Sequence, residues 1–113
     1  MRDAARILKG RKIDPGVRLI ITPATQEIAA KAAAEGLTQI FADAGALLTA
    51  PGCGPCASGR IGTMAPGEVS INTGTRNDPG RLGTTEAQIY LASPLTVAAS
   101  AVAGRITDPR QFL

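Results

Sequence analysis

An α/β domain with a mostly parallel sheet is the fold class that this sequence predicts. Three observations point there. Short apolar or alternating runs at 17–21, 46–50, 68–73 and 87–92 are interleaved with helix-period segments, the order that builds parallel strands joined by crossover helices. Thr22-Pro23 and Ser93-Pro94 each join a capping hydroxyl to a proline, the device that marks a helix start. Hydrophobic residues make up 44% of the chain and aromatics only 3%, so its core must be built from small side chains, which suits helices packed closely on a sheet.

Taken in order, residues 3–12 (DAARILKGRK) form an opening helix, followed by the turn Asp14-Pro15-Gly16. The run VRLII at 17–21, rich in β-branched residues, reads as a buried strand. Thr22 then caps, and Pro23 begins, the helix PATQEIAAKAAAE, which stops at Gly36. Leu37, Ile40, Phe41 and Ala44 recur at helical spacing and mark one face of a second helix, closed by Gly45. ALLTA at 46–50 is a strand that feeds directly into a loop holding both cysteines. EVSINT (68–73) and AQIYLA (87–92) are further strands, and Ser93-Pro94 opens the helix PLTVAASAVA, which ends at Gly104. The tail RITDPRQFL reads as a surface segment. Two connections, 50–67 and 74–86, are unusually long, and loops of that length are usually functional.

The 113 residues suit one domain. No apolar run reaches about 18 residues, and no basic start leads into an apolar core, so neither a membrane span nor a secretory leader is expected. Two cysteines do not make a disulfide scaffold, and a reducing cytoplasm is the expected compartment. The net charge of +3 comes from scattered Arg and Lys with one Tyr and two Phe, a poor basis for binding nucleic acid. A small anionic substrate is the more economical use for basic residues near the cysteines.

Cys53-Gly54-Pro55-Cys56 admits several chemistries. A redox dithiol places its cysteines at a helix N-terminus, where the dipole and free amides lower the thiol pKa; here Cys56 is followed by ASGRIG, with glycines in what would be the first turns. A structural zinc site needs four Cys or His ligands, and the chain has two Cys and no His. Two inert buried thiols have no need of a Gly/Pro-rich loop. An iron–sulfur site suits thiolates two residues apart on a Gly-Pro turn. It would require at least one more cysteine, from another chain or from a further part of the protein.

The stretch GALLTAPGCGPCASGRIGTMAPGEVSINTGTRNDPGRLG, with EAQIYLASPLTVAASAVAGRITDP after it, resembles the C-terminal part of the 3-isopropylmalate dehydratase large-subunit family, within the aconitase superfamily. The upstream segment ILKGRKIDPGVRLIITPATQEIAAKAAAEGL fits as well, so the likeness covers nearly the whole chain. The resemblance implies a three-layer α/β/α domain like the C-terminal domain of such a large subunit. It implies a [4Fe–4S] cluster held by three cysteines, with Cys53 and Cys56 as two of them and the third in a part of the subunit absent from these residues. The fourth iron, free of protein ligands, would act as a Lewis acid in a reversible dehydration–rehydration of a hydroxy di- or tricarboxylate.

The family's substrate-anchoring run, commonly Asn-Arg-Asn-Phe-x-Gly-Arg, matches Thr75-Arg76-Asn77-Asp78-Pro79-Gly80-Arg81. Arg76 and Arg81 fall on the two carboxylate-binding arginines, and guanidinium forks suit that task. Asn77 and Thr75 complete the implied substrate contacts. Thr75 stands where Asn is common, and Asp78-Pro79 where the family has Phe-x. Arg60 stands where isopropylmalate relatives often have His and reads as surface. Implied partners are the remaining large-subunit domains, a small swivelling subunit and a small anionic hydroxy acid, and the isolated chain is expected to be inactive. Leucine biosynthesis leads, ahead of homoaconitate hydration and aconitase proper. A small thiol–disulfide protein and a non-catalytic binding domain are the readings from other classes.

Overall fold

A computed structural model of the chain describes residues 1–55 and 61–113. Along them run α1 (Arg2–Leu8), β1 (Ile20–Ile21), α2 (Gln26–Ala34), α3 (Leu37–Ala44), β2 (Leu47–Leu48), β3 (Val69–Asn72), β4 (Gln88–Leu91), α4 (Pro94–Ala103) and a 3-10 turn at Pro109–Phe112. The strands form two parallel pairs. Ile20 lies opposite Leu47 and Ile21 opposite Leu48 in one; Val69 through Asn72 lie opposite Gln88 through Leu91 in the other. Parallel neighbours need a crossover of roughly a dozen residues or more, which α2 and α3 supply for the first pair and residues 73–87 for the second.

The chain is thus α/β with parallel pairing, but its strands are shorter than the apolar runs that announce them, and among the described residues the pairs are separate rather than one sheet. The reason is local. β2 has Gly45 at φ 96° on one side and Pro51, which lacks an N–H, on the other, so it offers 17–21 few partners. Pairing begins where Leu47 N–H donates to the Leu19 carbonyl at 2.8 Å and ends where Thr49 N–H donates to Ile21 at 3.1 Å.

The main core lies between α1, α3 and α4. Ala5, Ile7 and Leu8 meet Phe41 and Ala44 from α3 and Ala98 and Ala99 from α4. Phe41, Ile7 and Leu8 are its largest fully buried side chains. At the α1–α4 contact the small Ala5, Ala98 and Ala99 accompany the larger Ile7 and Leu8. A second cluster of Met64, Leu82 and Ile89 ties both long connections to β4.

Two helix boundaries differ from expectation. α1 ends at Leu8, ahead of Gly10 at φ 75°. The cap of α2 is Thr25, whose Oγ1 accepts Ile28 N–H at 3.2 Å. Thr22 does not cap: it bonds Thr49 across the strand ends, and the buried Pro23 precedes the helix. At α4 the reading from Ser93-Pro94 holds, with Ser93 Oγ accepting Thr96 N–H at 3.3 Å and Gly104 in the left-handed region. The tail lies at the surface over most of its length, as expected, and is pinned at two points. Thr107 is buried and donates its N–H to Ser100 Oγ at 3.0 Å, while Arg11 lies 5.0 Å above the Phe112 ring and donates to the carbonyls of Ile7 and Phe112.

Candidate functional site

β1 and β2 run in the same direction, so their C-terminal ends lie side by side, and each is followed by a threonine. Thr22 Oγ1 and Thr49 Oγ1 are 2.6 Å apart. Gly52 N–H donates to the Pro23 carbonyl at 3.0 Å, stitching the start of the cysteine loop to the segment leaving β1. The free Cys53 thiol is exposed immediately after this stitch. Gly54 is glycine for two reasons: its φ is +60°, and a Cβ there would sit 2.5 Å from Thr22 Oγ1. Residues 51–55 are non-helical. Cys56, the second expected cluster ligand, and Arg60 lie outside the described residues, as does the segment after Cys56 on which the dithiol reading turns.

The arginine loop leaves the C-terminal end of β3. Thr75, Arg76, Asn77 and Asp78 are all exposed. Arg76 donates through Nε at 3.0 Å and Nη2 at 2.7 Å to a single oxygen, Oδ2 of Asp78. Asp78-Pro79-Gly80-Arg81 then closes a tight turn, with Arg81 N–H on the Asp78 carbonyl at 2.9 Å and Gly80 at φ 83°. Gly83 N–H returns to the Gly80 carbonyl at 3.2 Å. Arg81 is half-buried between the Gly80 turn and Leu82, whose side chain is anchored in the second cluster.

Backbone contacts connect the two loops. Gly62 packs against the cysteine loop, where a Cβ would lie 3.1 Å from Pro55 Cβ. Two residues on, Met64 N–H donates to the Leu82 carbonyl at 2.7 Å. Gly83 is pressed so closely on Thr63 that a Cβ would stand 2.6 Å from its Cγ2. The path from Cys53 to Arg81 thus runs through Pro55, Gly62, Met64 and Leu82, by a side-chain contact at Pro55 and a backbone hydrogen bond at Met64. Both loops spring from C-terminal strand ends, the edge at which open α/β sheets place their ligands.

Chemically, one loop offers a soft, exposed sulfur donor and the other guanidinium groups suited to carboxylates. Among the described residues no three metal-ligating side chains converge, and Cys53 is the one free thiol described there. The carboxylates with depressed pKa values lie outside both loops: Glu35, held down first by its hydrogen bond from Arg2, and Asp108, held by Arg110. Sequence reasoning missed the Thr22–Thr49 pair and Asp78 as the partner of Arg76. The matching strand ends Ile-Ile-Thr and Leu-Leu-Thr were the available signal for the first; the Arg-x-Asp spacing was the signal for the second.

Comparison with known proteins gives the class. Residues 1–104 match the model of the aconitase family (aconitate hydratase), and the chain belongs to that family. It is 55% identical over 113 residues to the 3-isopropylmalate dehydratase large subunit of Mycolicibacterium smegmatis, covering 100% of this chain and 27% of the relative. A 3-isopropylmalate dehydratase large subunit of Archaeoglobus fulgidus is 54% identical over 97% of this chain and 26% of its own length. The homoaconitase large subunit of Thermus thermophilus is 48% identical over 99% of this chain and 27% of its own length. The chain therefore spans about a quarter of the length of the curated relatives it matches.

Proposed function

We propose that this chain is the C-terminal part of the large subunit of an iron–sulfur hydro-lyase, acting as a 3-isopropylmalate dehydratase in leucine biosynthesis. The observation that carries the reading is the packed path joining the exposed Cys53 loop to the arginine loop, both on C-terminal strand ends. Similarity to dehydratase large subunits along the whole chain supports the same assignment.

In this reading Cys53 and Cys56 supply two ligands of a [4Fe–4S] cluster, with the third cysteine in a preceding domain. When bound, such a cluster with one iron free of protein ligands supplies Lewis-acid polarisation of a substrate hydroxyl. The chain's own work is to bind and orient the hydroxy acid. Arg76 takes a substrate carboxylate in place of Asp78. The Arg76–Asp78 pair is exposed on both sides, so exchanging one carboxylate for another costs little. Arg81, fixed by its turn and by Leu82, presents a second cation, and Asn77 and Thr75 flank Arg76 with neutral hydrogen-bonding groups. The remaining large-subunit domains and a small swivelling subunit complete the assembly, so the chain by itself does not turn over substrate. Within the whole subunit the two strand pairs belong to a three-layer α/β/α domain, and the compartment is the cytoplasm.

The test uses the full-length large subunit with its small subunit, purified without oxygen. Iron and sulfide content and the cluster's absorption are expected in the wild type and lost in Cys53→Ser and Cys56→Ser. Arg76→Lys and Arg81→Lys are expected to keep the cluster and lower kcat/KM at least about tenfold, since each loses a charge-assisted contact. A full complement of iron in both serine variants would reject the assignment.

A further inference from the structure

Three independent ties converge on the point where Cys53 leaves the fold. The hydroxyls of Thr22 and Thr49 meet at 2.6 Å across the ends of β1 and β2. Thr49 Oγ1 also stands 3.1 Å from the Ala50 carbonyl, within reach as a donor, and either hydroxyl can donate in the short contact. The pair thus links the end of β1, through Thr49, to the first carbonyl of the cysteine loop. Beside it, Gly52 N–H donates to the Pro23 carbonyl at 3.0 Å. On the far side of Cys53, Gly54 rests directly on Thr22, leaving no room for a Cβ. Thr22 thus touches the loop both before Cys53, through Thr49, and after it, through Gly54.

We infer that Thr22 and Thr49 are positioning residues for the Cys53 thiolate: their hydroxyl pair holds residues 50–54 in the one conformation that presents Cys53 as a ligand. A ladder of only two residues per strand leaves the loop root little other support, and the hydroxyl pair extends the pairing by one side-chain rung. Threonine suits the role because its branched Cβ restricts χ1 and aims the hydroxyl across the strands. Serine keeps the hydroxyl, whereas valine keeps the shape and removes the donor. The metal-binding consequence rests on the reading of Cys53 as a cluster ligand; the anchoring does not.

The test compares Thr22→Val, Thr49→Val and Thr22→Ser in the full-length subunit. In the metal-free protein, amide exchange of residues 50–55 is expected to rise about three- to tenfold in both valine variants, the loss of roughly one hydrogen bond, and to stay near wild type in the serine variant. After cluster assembly, iron release to a chelator is expected to accelerate in the same two variants and to recover with serine. Unchanged exchange in both valine variants, or equal exchange in Thr22→Val and Thr22→Ser, overturns the inference. Exchange across α1 and α4 is the control: if both valine variants lose protection there as well, the hydroxyls support the fold at large and the positioning role is rejected. A wild type that takes up no iron sinks the cluster reading alone and leaves the exchange contrast to judge the anchor.

Discussion

The chain contains two Arg–Asp pairs at a spacing of two residues, and their geometry separates them. Arg76 directs Nε and Nη2 to one oxygen of Asp78 and leaves the other oxygen to solvent. Arg110 reaches both oxygens of Asp108, and Asp108 Oδ1 also accepts Arg110 N–H at 2.9 Å at the start of the closing 3-10 turn. The Arg110 side chain first, and its backbone N–H next, hold Asp108 down to about 2 from the usual 3.8. A carboxyl whose pKa is lower folded than unfolded contributes stability above its unfolded pKa and loses it as pH falls through the folded value. Acid unfolding should therefore steepen between about pH 4 and pH 2 in the wild type and flatten there in Asp108→Asn, as read by circular dichroism. The exposure of the pair keeps the effect small. Motif matching names Arg76, Asn77 and Arg81 but not Asp78, because a substrate motif marks ligand contacts and not the partner that an arginine holds without the ligand; the Arg-x-Asp spacing is the signal that finds it.

At the scale of elements, a Ser/Thr-Pro pair marks a helix start where the capping hydroxyl has no competing partner. Ser93-Pro94 predicts the start of α4 because Ser93 is exposed and its hydroxyl is available to the Thr96 amide. Thr22-Pro23 carries the same two letters, yet Thr49, distant in sequence, takes the hydroxyl and shifts the cap to Thr25. Ser93→Ala and Thr25→Ala should each cost about 1 kcal/mol, within the range of 0.5–2 for a lost cap, measured as a lowered urea midpoint at constant slope. Strand runs were recognisable from their β-branched residues, but pairing partners were not, since periodicity marks a face and not a neighbour. The tail is mostly exposed, as its reading as a surface segment expects, but only the folded chain shows Ser100 and Arg11 as the partners of Thr107 and Phe112.

Across the whole molecule, the radius of gyration of 13.5 Å sits near the roughly 13 Å expected of a folded domain of this length, yet burial falls into two clusters of unequal depth. The helical core contains fully enclosed Phe41, Ile7 and Leu8, whereas Met64, Leu82 and Ile89 in the loop cluster retain 6–9% exposure. Phe41→Ala should cost about 3–5 kcal/mol, a large share of the 5–15 kcal/mol that typically holds a domain together, and should lower protection everywhere. Leu82→Ala removes the side chain on which the Arg81 turn is anchored. Its loss should fall on residues 61–67 and 81–89, because those backbones depend on three buried side chains and a few hydrogen bonds, such as Met64 N–H to Leu82. Hydrogen exchange should then show faster opening of both loops with α1 and α4 still protected. Equal loss of protection in α1 and in the loops would mean that the two clusters unfold as one unit, and that the loops carrying Cys53 and Arg81 cannot move independently of the helices beneath them.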